Sequence, residues 1–168
     1  MTSSNFDKVV GIIGWKNSGK TMLVKELPRH FTAQGLRVAI VKRAHHALGV
    51  DHEVKDSFAH RQAGARKVIV TSARRWAHMR EIDSEREPRL KELTEQLSPA
   101  DIVLAEGFKR EDHPKIEVWR DTTDRLPAAS DKTIRAVVTE ANPTCYSGPC
   151  FNPSDIENIA KFVLSLRR

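Results

Sequence analysis

Eight consecutive residues carry the clearest chemistry in this chain: Gly14, Trp15, Lys16, Asn17, Ser18, Gly19, Lys20 and Thr21 match the pattern G-x-x-x-x-G-K-[ST] in full. Each type has a physical task. Gly14 and Gly19 let the backbone turn tightly, so that successive N–H groups point inward at a phosphate. Lys20 sets a compact cation on β- and γ-phosphate oxygens, and the Thr21 hydroxyl offers an oxygen ligand to Mg2+. A helix opening at Gly19 adds its positive N-terminal end. The same pattern also fits a glycine turn ahead of an amphipathic helix, so the surrounding elements decide between the two readings.

Mg2+ beside such a loop wants a further carboxylate, commonly at the end of a neighbouring buried strand. Glu106 closes the apolar run DIVLAE and is followed by Gly107, which allows a sharp exit. Asp101 opens the same run and so falls at the opposite sheet edge, roughly 17 Å away. Ligands collect at the carboxyl ends of parallel strands, which selects Glu106 and leaves Asp101 to cap or terminate. Asp51, in the polar stretch after the second strand, is a further metal candidate, and Asp56 reads as a helix cap. The chemical step is assigned to Lys20 and Glu106, and the metal to Thr21, Glu106 and Asp51.

The elements that must hold these groups follow from periodicity. VVGIIG within 8–14 reads as a buried strand. Residues 19–34 read as a helix, with Leu23, Leu27 and Phe31 four apart and Gly35 as its stop. RVAIVK at 37–42 is a second buried strand. Strand, phosphate loop, helix and strand in that order predict an α/β, P-loop NTPase-type three-layer fold, with a mostly parallel sheet flanked by helices. Further strands are expected at 67–71, 101–106, 116–120 and 133–139, and helices at 56–63, 88–97 and 153–166. Residues 75–82 fit either a strand or an irregular segment. With no repeat and no long linker, one nucleotide-binding domain is expected over 1–168.

Composition narrows the partners. The net charge is +6, but no block of like charges makes a nucleic-acid tail, and aromatic residues are only 6% of the chain, too few for RNA-stacking signatures. Lys16, Lys20, Lys42, Arg43, Arg61, Arg74, Arg75 and Lys109 instead recur around the loop and the strand ends, as suits an anionic small molecule. The apolar runs are strand-sized, against about 20 residues for a membrane helix, and the N-terminus lacks a secretory pattern; a cytoplasmic protein is expected. There Cys145 and Cys150 read as free thiols, since C-x4-C lacks the other ligands of a zinc site. His45, His46, His52 and His60 show no metal-ligand spacing and suit either hydrogen bonding to phosphates, a pterin or a partner, or an ordinary solvated loop.

Taken together, GWKNSGKT at 14–21, VKRAHH at 41–46, KDSFAHRQAGA at 55–65, RRWAHM at 74–79 and DIVLAEGFK at 101–109 resemble the molybdopterin-guanine dinucleotide biosynthesis protein B family. The resemblance implies a homodimeric GTP-binding protein with slow Mg2+-dependent hydrolysis. It also implies a role assisting the guanylyltransferase that converts molybdopterin to molybdopterin guanine dinucleotide. Carried onto this chain, Lys20 and Thr21 take the phosphate and Mg2+ roles, Glu106 the strand-end acid and Asp51 the loop acid, while His45 and His46 mark the family's signature. Val54 stands where the family commonly has glycine, and the guanine-reading N-K-x-D is absent; Glu140 in VVTEAN is the nearest acid after a late strand. The GTP preference therefore comes from the resemblance; the residues say nucleoside triphosphate. The competing reading is a P-loop small-molecule kinase, since charge positioning supplies most of phosphoryl-transfer catalysis. Against it, Arg74 and Arg75 precede no clear helical lid.

Overall fold

The computed structural model describes residues 5–44, 55–82, 87–120, 130–141, 143 and 146–167. His45, His46, Asp51, His52, Val54 and Cys145 lie outside the described residues. The elements run β1 (Val9–Gly14), α1 (Lys20–Ala33), β2 (Val38–Lys42), α2 (Lys55–Gln62), β3 (Lys67–Thr71), β4 (Trp76–Arg80), α3 (Leu90–Thr94), β5 (Ile102–Glu106), β6 (Lys115–Val118), β7 (Ile134–Val138), β8 (Cys150–Phe151) and α4 (Ile156–Ser165). Two compact units result, one of Met1–Arg43 with Arg89–Arg168 and one of Ala44–Pro88.

The first unit holds a six-stranded sheet in the order β2-β5-β1-β6-β7-β8, every pairing parallel. Side chains of a strand alternate between faces, and here the alternation divides the core in two. Val10 and Ile12 of β1, Ile102 and Leu104 of β5, Ile116 and Val118 of β6, and Ala136 and Val138 of β7 pack with Leu23, Leu27 and Phe31 of α1 and Ile159, Ala160 and Val163 of α4. Val9, Val41, Val103 and Ala105 form the other cluster with Leu90, Ala100 and Phe108. Covering on both faces explains why the strands read as continuous apolar runs.

Three details depart from periodicity. The helix expected over 88–97 is only Leu90–Thr94. It starts late because the Arg89 N–H donates to Glu92 Oε2 at 2.8 Å and the Leu90 N–H to Glu111 Oε1 at 3.0 Å. It ends early as Gln96 and Leu97 turn back to the carbonyls of Leu93 and Thr94. The undecided segment after Arg75 is β4, paired antiparallel with β3 from Lys67↔Arg80 to Thr71↔Trp76. This hairpin belongs to the second unit, where Ile69 and Trp76 remain 66% and 67% exposed. The two-residue β8 is an edge strand with no counterpart in the expected elements.

The amino edge of the sheet is tied by polar groups. Arg37 donates to Asp101 from its backbone N–H at 2.8 Å, from Nε at 3.0 Å and from a terminal guanidinium nitrogen at 2.9 Å, so Asp101 terminates a strand as its position implied. On the same edge Lys115, 1% exposed, donates from Nζ to the carbonyls of Glu111 and His113 and to Thr133 Oγ1. His113 is 2% exposed, and its ring nitrogens have no hydrogen-bond partner among the described residues. The ring lies over Gly11, where a Cβ would come 2.5 Å from His113 Nε2, so glycine makes room for it. Among the described residues no helix is long and apolar enough to cross a membrane.

Candidate functional site

The loop leaves β1 at Gly14, whose φ of 152° would be strained for a residue with a side chain. A Cβ there would stand 2.4 Å from the Val118 carbonyl and 2.6 Å from Ser18 Oγ, so glycine is also the residue that fits. Asn17 takes a left-handed φ of 64°, and Gly19 one of 97° as the N-cap of α1. No side chain caps that helix start. Its first N–H groups thus face the loop's concavity with the positive end of the helix dipole behind them, an arrangement suited to an anion.

The loop folds back on itself through its lysine: Lys20 Nζ donates to the Trp15 carbonyl at 2.5 Å. Burial lowers the pKa of Lys20; Lys109 and Lys42 lower it further, while Glu106 works against them. An anionic ligand would relieve this crowding of cations. Ser18, 2% exposed, keeps a hydroxyl without a hydrogen-bond partner among the described residues. That orphaned group sits in a cradle a Cβ at Gly14 would fill, and it fits a loop built around phosphate oxygens.

Sheet order assembles the rest. β5 lies between β2 and β1, with Glu106 level with both Lys42 and Ile12. Glu106 therefore ends at the carboxyl edge beside the loop, its side chain 15% exposed and paired with Lys42 Nζ at 3.3 Å. Thr21, exposed on the first turn of α1, and Glu106 are oxygen donors of the kind Mg2+ takes. Gly107, at φ 91°, turns the chain away so that the Arg43 N–H can donate to the Glu106 carbonyl at 2.9 Å. Lys109, three residues beyond Glu106, lays Nζ over the Trp15 ring, 4.1 Å from its centroid.

Of the basic residues singled out in the sequence, Lys16, Lys20, Lys42, Arg43 and Lys109 fall at this edge, whereas Arg61, Arg74 and Arg75 belong to the second unit. Arg120 was missed. Its guanidinium lies against the loop, 3.4 Å from where a Gly19 Cβ would stand. The signal was available, because Arg120 follows β6 as Lys109 follows β5, at a carboxyl strand end. Glu140 is exposed just past β7. Cys150 is a free, exposed thiol, and no cluster of three metal-ligating side chains occurs among the described residues. A cavity of about 320 Å³ lined by Asp112, Lys132, Thr133 and Arg135 lies at the amino edge, away from the loop.

A parallel sheet with a glycine-bounded loop running from its central strand into an uncapped helix defines the class: an α/β protein of the P-loop NTPase-like fold. The family described as "Molybdopterin guanine dinucleotide synthesis protein B" matches residues 9–140, and the chain belongs to that family. The Escherichia coli protein named "Molybdopterin-guanine dinucleotide biosynthesis adapter protein" is 34% identical over 168 residues, covering 98% of this chain and 95% of that one. A Haemophilus influenzae protein of the same name is 37% identical over 133 residues, 78% of this chain and 74% of its own. Among solved structures, a molybdopterin-guanine biosynthesis protein B superimposes with a TM-score of 0.71 at 28% identity, covering 94% of this chain and 99% of the other. Bacillus subtilis MobB shares the fold, with a TM-score of 0.73 at 23% identity over 96% of this chain and 98% of its own.

Proposed function

We propose that this chain is a GTP-binding adapter protein in the synthesis of molybdopterin guanine dinucleotide, acting on the guanylyltransferase step and hydrolysing GTP slowly. The observation that carries the reading is the loop from Gly14 to Thr21 running into a helix start with no side-chain cap. Support for the pathway comes from the relatives, which are named as adapter proteins of that biosynthesis. Backbone N–H groups of the loop and Lys20 hold the phosphates, and Arg120 lies beside Gly19 to add charge. Thr21 and Glu106 would hold Mg2+, which when bound would neutralise charge on the phosphate oxygens; Asp51 is the third ligand proposed for its shell. Glu106, ending β5, orients water toward the terminal phosphate. The chain acts as one cytoplasmic nucleotide-binding domain and pairs with a second copy, binding molybdopterin or its guanine dinucleotide through the partner enzyme's reaction.

The test is calorimetric titration with GTP and ATP in Mg2+, on the natural chain and on Lys20→Ala. GTP binding that falls roughly tenfold or more in Lys20→Ala is expected, as for loss of a charge-assisted contact. GTP binding unchanged by that substitution sinks the phosphate-loop assignment, and tighter ATP than GTP binding removes the guanine preference. Adding the chain and GTP to the guanylyltransferase with molybdopterin is expected to raise dinucleotide formation. No stimulation at any ratio of the two proteins defeats the adapter role.

A further inference from the structure

Two amines converge on one residue of the loop. Lys20 Nζ donates to the Trp15 carbonyl at 2.5 Å, and Lys109 Nζ lies 4.1 Å from the centroid of the Trp15 ring. Glu106, the acid that ends β5 at this edge, is already paired with Lys42. Neither Lys20 nor Lys109 forms an ion pair among the described residues. A lysine ammonium over an indole face is held by attraction to the ring, and with Lys20 on the same residue it makes a pair of cations that a bound anion could bridge.

The geometry points to Lys109 as a second phosphate-binding lysine of the loop, carried on the Trp15 ring and delivered to the terminal phosphate of a bound nucleoside triphosphate. The proposal rests on the phosphate-loop reading above and specifies which part of the ligand this residue touches. Chain direction supports that placement. Lys109 enters from the end of β5, the strand that also supplies Glu106, the acid on the metal side of the loop. Arg120, by contrast, approaches Gly19 from beyond β6. The two cations therefore reach the loop from different sides, because β5 and β6 flank β1 in the sheet. Trp15, 37% exposed, works as a platform: its ring face keeps the ammonium at the loop while leaving it mobile enough to exchange indole for phosphate.

The experiment compares affinities for a non-hydrolysable GTP analogue and for GDP in the natural chain, Lys109→Ala, Lys109→Arg and Lys20→Ala. Each is checked for folding by thermal denaturation. Lys109→Ala is expected to weaken the triphosphate analogue roughly tenfold while changing GDP less than about twofold, with Lys109→Arg recovering most of the loss. Lys20→Ala is expected to weaken both ligands. Equal affinities of Lys109→Ala and the natural chain for the analogue, with Lys20→Ala still weakened, overturn the role of Lys109 and leave the phosphate loop standing. An equal loss for both nucleotides in Lys109→Ala also overturns it, since the contact would then not be to the terminal phosphate. If Lys20→Ala binds both ligands as the natural chain does, the underlying loop reading falls first. Binding of the analogue should also change tryptophan emission through Trp15, and that change should be lost in Trp15→Phe but kept in Trp119→Phe. A signal that survives Trp15→Phe removes the platform.

Discussion

Acidification provides a direct measure of how the buried imidazole at the amino edge is accommodated. Burial pushes the pKa of His113 down from 6.5 to about 4; the Lys115 cation adds to this, while Asp112 and Asp131 oppose it. The unfolded chain binds that proton near 6.5 and the folded chain only near 4, so between those values the unfolded state holds more protons. Stability is therefore complete above about 6.5 and declines as the pH falls toward 4. Integrating the difference in proton binding from pH 7 to pH 5 gives a loss of about 2 kcal/mol from this one group, or roughly 1 M in urea midpoint. The assay is urea denaturation at both pH values for the natural chain and for His113→Phe, which keeps a flat ring over Gly11. The substitution is expected to abolish that share of the pH dependence, leaving only the carboxylate contribution common to both proteins. An identical loss of stability in the two proteins refutes the reasoning. So does a direct NMR titration of the natural chain that finds His113 ionising near its ordinary value.

Three further outcomes are expected. Gly14→Ala forces a Cβ against the Val118 carbonyl at a left-handed φ, and should cost about 2–4 kcal/mol in urea denaturation together with nucleotide affinity. Glu106→Gln should remove most of the Mg2+ dependence of GTP binding while leaving affinity measured in EDTA close to that of the natural chain; an unchanged Mg2+ response would displace Glu106 as a ligand. Lys115→Met keeps the volume but leaves the Glu111 and His113 carbonyls without their donor, and should destabilise the chain by about 2 kcal/mol.

What could be read from the sequence follows the physical strength of each signal. β1 and β5 are buried on both faces, so apolar runs announced them, whereas β2, an edge strand with Ile40 46% exposed, shows the same apolar run with only Val41 buried. β4 could not be settled because WAHMR is almost wholly exposed and owes its extended form to pairing with β3. β8 spans two residues, too few to show any period. Pattern alone overextended α3, because its limits are set by Glu92 and Glu111 reaching backbone N–H groups rather than by its leucines. The position of Glu106 at the carboxyl edge of the sheet was legible from strand direction. Its pairing with Lys42 depends on β2 and β5 being neighbours, which no local stretch of sequence reveals. The Lys109–Trp15 stack joins residues from two different strand ends, and Arg120, the last residue of the strand expected over 116–120, meets Gly19 only because β6 lies beside β1.

The position of β1 has a consequence for how the chain comes to be folded. β1 leads into the Gly14–Thr21 loop and precedes the other strands of its sheet, yet its two neighbours pair through Val9↔Val103 and Gly11↔Lys115. During synthesis it therefore waits for about 90 residues before either flank exists, and such distant pairings slow folding and prolong the time an apolar edge is open to aggregation. The segment carrying Gly14, Lys20 and Thr21 gains its two flanking strands only once β5 and β6 have emerged. A chain truncated before Lys115 would keep the whole motif without one of the two strands that flank it.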